Sequence, residues 1–355
     1  MTSCDAPLPD TLAPDASRLT VDTAALVANW RRFARAGAAA ACGAAVKADG
    51  YGLGARPIAA ALVAAGCRDL LVAHWHEVAA LGPQPDGVRV AVLHGVMPGD
   101  MARALASPAV PVLVTAGQVQ AWKVTGRPCD VMVDTGLNRL GIDIAEARSG
   151  LLDGLAIDTL HSHLACSETP ASPANEAQRA AFADIAAVVP ARRRALANSA
   201  GIGLGPGWHF DLTRPGIGLY GGGASPDAHP LAPVAGIATR IIQLRDVPAG
   251  ASIGYGATYT AAGPLRVAVV ALGYADGYPR SLSDRGRALV DGVPCPVVGR
   301  ISMDLTIIDV SAAPDLAEGD WLTMDFDLAG SAAASGRSEY ELLTGLGARY
   351  ARVHT

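Results

Sequence analysis

Only two of the 28 basic residues are lysines, Lys47 and Lys123. Chemistry that needs a side-chain primary amine therefore has two candidates. Lys47 ends the apolar run of AAVKADGYGLG, whereas Lys123 sits in QVQAWKVTG and reads as a solvated helix residue. Two glycine-rich segments, NSAGIG and RPGIGLYG, carry Ser199 and Arg214. Glycine lets backbone N–H groups approach anionic oxygens closely, and the serine hydroxyl adds a donor. In a chain with 40 glycines such loops alone leave phosphate binding open. Burial lowers the pKa of a lysine and leaves a nucleophilic amine suited to Schiff-base chemistry. Pyridoxal phosphate (PLP) needs such an amine, a phosphate cradle and a partner for its pyridine nitrogen. Lys47, the glycine loops and Arg214 match those needs. Taken alone, Lys47 also fits a surface lysine whose stem lies along apolar residues.

These residues require a scaffold that gathers strand ends. From about residue 18 to 225, eight apolar runs alternate with Ala-rich helical stretches: GAAVKA, DLLVAHW, VRVAVLHG, VPVLVT, DVMVDTG, IDTLHSH, RALANSA and DLTRPGIGLYG. Near-continuous apolar strands alternating with helices predict a parallel sheet covered on both faces. Eight such units predict an α/β fold of the (β/α)₈, TIM-barrel type. The third and fourth runs lie close together, which leaves little room for a helix between them. Active sites of such barrels form at the C-terminal strand ends. Lys47, His74 and His76, Asp134 followed by Arg139, His163, Ser199 and Arg214 all fall there. From about residue 230 the pattern changes to β-branched runs bounded by Gly, Pro and Asp, which predicts a second, mostly β domain. The expected division is a flexible tail at 1–17, a barrel at 18–230 and a C-terminal β domain at 231–355.

Composition narrows the class. A chain of 355 residues, half of them hydrophobic, accommodates two domains with a sizeable core. A net charge of -5 offers no basic patch for nucleic acid or an anionic membrane surface. No apolar run approaches the roughly 18 residues of a membrane span. The first residues, MTSCDAPLPDTLAPDAS, lack the basic and apolar regions of a secretory signal. Six scattered cysteines without CxxC spacing read as reduced, mostly core-packed thiols of a cytoplasmic protein.

Ordered motifs then bring in a resemblance. AAVKADGYGLG, VDTGLNRLG, HSHLA, NSAG, RPGIGLYG, GYGATY, GYADGYPR, GRISMD and the terminal YELLTGLGARYARV make the chain similar to the alanine racemases, from about Leu19 to Val353. The resemblance implies a PLP-dependent isomerase interconverting L- and D-alanine by two bases, for peptidoglycan supply or alanine catabolism. A broader racemase acting on serine or longer amino acids is the alternative on the same scaffold. It implies that Lys47 holds PLP and is one base. Tyr255 of GYGATY is the other, reaching in from the partner of a homodimer. It implies that Arg214 faces the pyridine nitrogen, that His163 lies by the ring, and that Tyr51, Ser199, Gly216 and Ile217 hold the phosphate. The resemblance further implies that Arg139 and the Met303 amide take the substrate carboxylate and that Tyr274 and Arg300 line the entry channel. Two departures stand out. Met132 occupies a position where the family often has a carbamylated lysine, so Arg139 must be oriented otherwise, with a bound anion as one option. Ala348 replaces a phosphate-binding tyrosine of some members. Two rival readings are a metal-dependent barrel hydrolase, from His74-x-His76 and His161-x-His163, and a non-catalytic PLP-binding protein. No bound metal is expected.

Overall fold

The computed structural model describes residues 16–227 and 229–355. Most of the expected tail lies outside the described residues, and Ser17 already starts a strand. The chain divides into two units, residues 22–234 and residues 16–21 together with 235–355.

The first unit is the barrel. Seven parallel strands follow one another in space and sequence: Ala44–Ala45, Asp69–Val72, Arg89–Val92, Val110–Leu113, Cys129–Met132, Ile157–His161 and Arg193–Ala195. The eighth position is Leu212–Thr213, which pairs in parallel with Ala41–Cys42 just ahead of the first strand. Backbone bonds close the ring. Asp211 and Arg214 donate to the carbonyls of Arg194 and Ala197 at 3.0 and 2.9 Å, and Gly43 and Ala45 donate to Thr213 and Pro215 at 2.9 and 3.0 Å. All eight apolar runs thus contribute. The tight spacing between the third and fourth holds a helix of one turn, Met101–Leu105.

The helix Thr23–Gly37 packs outside the ring. The Asp22 carboxylate accepts from the Ala25 amide at 2.8 Å at its start, a cap that contributes about 1 kcal/mol. Leu26, Trp30 and Phe33 form its buried face. The Phe33 ring occupies the space above Gly218, where an added Cβ would lie 2.3 Å from it. The second run stops being a strand sooner than expected, at Val72. His74 caps the helix Trp75–Leu81, so His76 is helical rather than at a strand end. The cause is Glu77, whose carboxylate closes a capping box at His74.

At the N-terminal ends of the strands the barrel holds an ion network absent from the sequence reading. Arg193 binds Asp69 through two nitrogens at 2.7 and 2.9 Å and reaches Asp158 at 3.2 Å. Arg89 joins Asp158 at 3.2 Å and also contacts Asp130. The buried Asp130 accepts further from the Thr159 amide and the His161 ring, each at 2.9 Å. Burial alone would raise the Asp130 pKa, but the His161 bond and the Arg89 charge outweigh it and hold the carboxyl below its ordinary value.

The second unit is built on antiparallel sheet. The long strand Ala235–Val247 pairs with Ser17–Val21, Leu265–Val270 and Trp321–Met324. Ile237, Thr239 and Ile241 alternate inward along it. Ser17–Val21 also runs parallel to Ala351–His354, so residues 18–21, grouped with the barrel in the sequence reading, sit in this sheet. Its inward residues Leu19 and Val21 are fully buried there. Two helices, Leu328–Ser335 and Glu339–Thr344, complete the unit. Among the described residues no helix is long and apolar enough to cross a membrane.

Removing one member of a buried ion network leaves an uncompensated charge. Asp130→Asn is expected to cost about 3–5 kcal/mol of stability, read by urea unfolding. A loss below about 1 kcal/mol would show that the network contributes little.

Candidate active site

Lys47 follows the strand Ala44–Ala45 by two positions, and the backbone then turns left-handed. Ala48, Asp49, Gly50 and Tyr51 have φ of 53, 52, 61 and 56°. No described hydrogen bond or ion pair holds the Lys47 amine. Burial lowers its pKa most. The Arg139 charge lowers it further, Glu77 opposes, and Arg214 adds to the lowering. Its environment therefore favours the neutral, nucleophilic amine more than water does.

The glycine loops form a cradle beside the turn. Ser199 Oγ accepts from the amides of Gly216 and Gly218 at 2.9 and 3.2 Å. The Tyr51 hydroxyl lies over Gly216 so closely that an added Cβ would be 2.3 Å from it. A side chain there would have to displace the Tyr51 ring. The Tyr51 ring stacks on Tyr220 at 4.5 Å between centroids, and the Tyr220 hydroxyl donates to the Ala45 carbonyl at 2.9 Å. Tyr51, Ser199, Gly216 and the buried Ile217 are thereby brought together. Ala348 lies in the second unit and has no hydroxyl to offer.

Arg214 is buried. Its Nη2 donates to the carbonyls of Ser162, Leu196 at 3.0 Å and Ala195 at 3.4 Å. Its Nε is buried without a partner among the described residues, a donor free for an acceptor such as a pyridine nitrogen. Burial pushes the guanidinium down to about 10 and Asp130 opposes that shift, so it stays charged at neutral pH. His163 is pushed down to about 3 by burial and by the charges of Arg214, Arg139 and Lys47, and is neutral at pH 7.

Arg139 is exposed, and no described hydrogen bond or ion pair engages its guanidinium. Its loop is nevertheless pinned. The Asp134 carboxylate accepts from the amides of Gly136, Leu137 and Arg139 at 2.8, 2.9 and 3.1 Å. Met132 lies under this loop in an apolar cluster with Ala91, Val112 and Val114, flanked by Leu93 and Leu140. Methionine has no amine to form a carbamate, and Asp134 fixes the backbone of the Arg139 loop.

Four expected residues belong to the second unit and share one face of it. Tyr255 is 71% exposed on the turn Tyr255–Ala257. An added Cβ on Gly256 would lie 3.0 Å from the Arg300 guanidinium, so Arg300 packs against that turn. The Tyr274 and Ala275 amides donate to the carbonyls of Ser302 and Met303 at 3.1 and 3.0 Å, which places Tyr274 beside Met303.

Sequence reasoning missed Glu77, Asp130 and the role of Asp134. Each carried a signal: a Glu three residues after a capping position, a charge inside an apolar strand, and an Asp opening a turn. His161, weighed as a metal ligand, is instead buried against Asp130. His74 stacks on His76 and meets His94 edge-on at 4.2 Å. Among the described residues no group of three or more His, Cys, Asp or Glu side chains is arranged to hold a metal ion.

Comparison with known proteins tests the reading. The family described as "Alanine racemase, N-terminal domain" matches residues 21–224, and "Alanine racemase, C-terminal domain" matches residues 234–354. The chain belongs to the alanine racemase family. An alanine racemase of Acidiphilium cryptum is 43% identical over 94% of this chain and 98% of its own length. A catabolic alanine racemase of Agrobacterium fabrum is 42% identical over 95% of this chain and 91% of the relative. The biosynthetic enzyme of the same organism is 41% identical over 95% and 93%. Among solved structures, alanine racemase from Bartonella henselae with covalently bound pyridoxal phosphate superposes with a TM-score of 0.89 at 34% identity, covering 96% of this chain and 100% of that one.

The electrostatics of the family site in this chain are directly measurable. Nitrogen NMR of labelled histidine is expected to find His163 neutral down to about pH 4, since its pKa of about 3 lies far below the ordinary 6.5. A midpoint near 6.5 would contradict the burial and the surrounding positive charge.

Proposed function

We propose that this protein is a PLP-dependent isomerase that interconverts L- and D-alanine. The observation that carries the reading is the placement of Lys47: a half-buried amine at a strand end, beside a serine–glycine cradle and a buried arginine whose Nε has no partner among the described residues. The phosphate fits Tyr51, Ser199, Gly216 and Ile217, and the pyridine nitrogen fits Arg214. When bound to Lys47, PLP supplies an electron sink that acidifies the substrate Cα–H. Because an arginine keeps its proton, Arg214 leaves the pyridine nitrogen unprotonated and moderates that sink, which favours racemisation over side reactions. Neutral His163 keeps one more positive charge out of the site.

Racemisation removes a proton from one face of Cα and returns one to the other, so it calls for two bases. The reading assigns Tyr255 Oη to the L face and Lys47 Nζ to the D face. Arg139 binds the substrate carboxylate together with the Met303 amide, and Tyr274 and Arg300 line the approach. Tyr255, Met303, Tyr274 and Arg300 stand on an exposed face of the second unit, and the reading has them serve the barrel of a partner in a homodimer. It also places the enzyme in the cytoplasm. Its close relatives carry both biosynthetic and catabolic names, and either role suits the same chemistry.

The two bases are separable in half-reactions. Alanine enantiomers have equal free energy, so any substitution reduces kcat/KM equally in both directions, and net rates cannot distinguish the bases. In Tyr255→Phe, Lys47 remains. D-alanine is expected to exchange its α-hydrogen with deuterated solvent while L-alanine exchanges almost none and racemisation collapses. Equal exchange from both enantiomers would end the two-base assignment.

A further inference from the structure

Glu77 has no part in the roles above, yet one carboxylate of this residue holds three backbone amides from two strand ends. Its Oε1 accepts from Ala48 N at 2.6 Å, and its Oε2 accepts from Ala73 N at 2.6 Å and His74 N at 3.0 Å. Ala48 immediately follows Lys47 and is the first of the four left-handed residues. Left-handed backbone costs an L-residue roughly 1–2 kcal/mol, so such a run persists only where its surroundings over-determine it.

The turn's own amides supply only part of that restraint. Gly50 donates to Val46 at 3.0 Å, Gly52 to Ala48 at 2.8 Å and Gly54 to Asp49 at 2.8 Å. The Asp49 carboxylate accepts from Ala55 N at 2.8 Å. These bonds close the turn on itself. The Ala48 amide instead leaves it and is bound by Glu77, which ties the segment after Lys47 to the end of the next strand. Five charged or titratable groups act on the Lys47 amine or are acted on by it: Arg139, Arg214, His94, His163 and Glu77. Glu77 is the acid among them.

We propose that Glu77 is a positioning residue for Lys47: it clasps the strained turn after the lysine to the neighbouring strand, and it supplies the anion that offsets the cations around the amine. The proposal deepens the reading of Lys47 as the cofactor lysine and rests on it for its meaning. The two parts separate experimentally.

The full-length chain, freed of cofactor, is treated with trace acetic anhydride across a pH series, and the acetylated peptides are mapped. Lys123 serves as the internal reference. In Glu77→Gln the loss of the anion makes Lys47 more acidic, so the midpoint of its labelling is expected about one pH unit below that of the parent, with Lys123 unmoved. An unchanged Lys47 midpoint in a folded Glu77→Gln protein overturns the proposal. Hydrogen exchange on the parent protein decides the matter even where the variant does not fold. The Ala48, Ala73 and His74 amides are expected to exchange slowly and at a common rate, whereas fast, independent exchange at Ala48 overturns the clasp. Failure of the parent chain to take PLP on Lys47 would remove the cofactor reading and leave these results on Glu77 standing.

Discussion

Three cations converge on one barrel mouth, and the site depends on how that charge is held. Arg214, Arg139 and Lys47 each act electrostatically on His163, and both arginines act on Lys47. Such a mouth repels a further proton and attracts anions. A phosphate and a substrate carboxylate are the two anions that the proposed chemistry brings to it. The same field keeps His163 neutral and favours the neutral Lys47 amine, the form that reacts. Binding and reactivity therefore share one electrostatic cause.

Holding three cations near one another costs stability, and the barrel offsets that cost at different depths. Asp130 acts on Arg214 from inside the ring and is itself anchored by His161 and Arg89. Glu77 acts on Lys47 from the neighbouring strand end. Asp134 holds the loop of Arg139 through backbone amides alone and leaves the guanidinium free. Each catalytic-end cation thus has a distinct carboxylate that fixes its charge or its backbone. Met132 sits in apolar packing near this loop and offers no amine for a carbamate.

Much of this was legible in the sequence because barrels place chemistry at strand ends. Lys47, Ser199 and Arg214 were found from an apolar run ending in a polar residue and from glycine loops. The roles of Tyr255 and Met303 came from resemblance, since isolated turns carry no mark of their purpose. The pairing within the ion network of Asp69, Arg89, Asp130, Asp158 and Arg193 was illegible, although the charge of Asp130 inside an apolar strand was a sign of it. Its partners come from five different strands, and register across a parallel sheet is invisible in a linear pattern. Residues 18–21 read as the start of the barrel because they directly precede its first helix, but their hydrogen bonds go to Ala235–Val247 and Ala351–His354. His76 read as a strand end because no Gly or Pro separates it from the apolar run, and the capping glutamate that turns it into helix lies one residue further on.

The central claim is that Lys47 is the amine on which the whole site is built. With two lysines in the chain, that claim has a clear test. The protein is saturated with PLP, reduced with borohydride, digested and mapped by mass spectrometry. The account predicts a pyridoxyl group on Lys47 and none on Lys123, with no label in Lys47→Ala. Label on Lys123, or equal labelling of the Lys47→Ala protein, would contradict it.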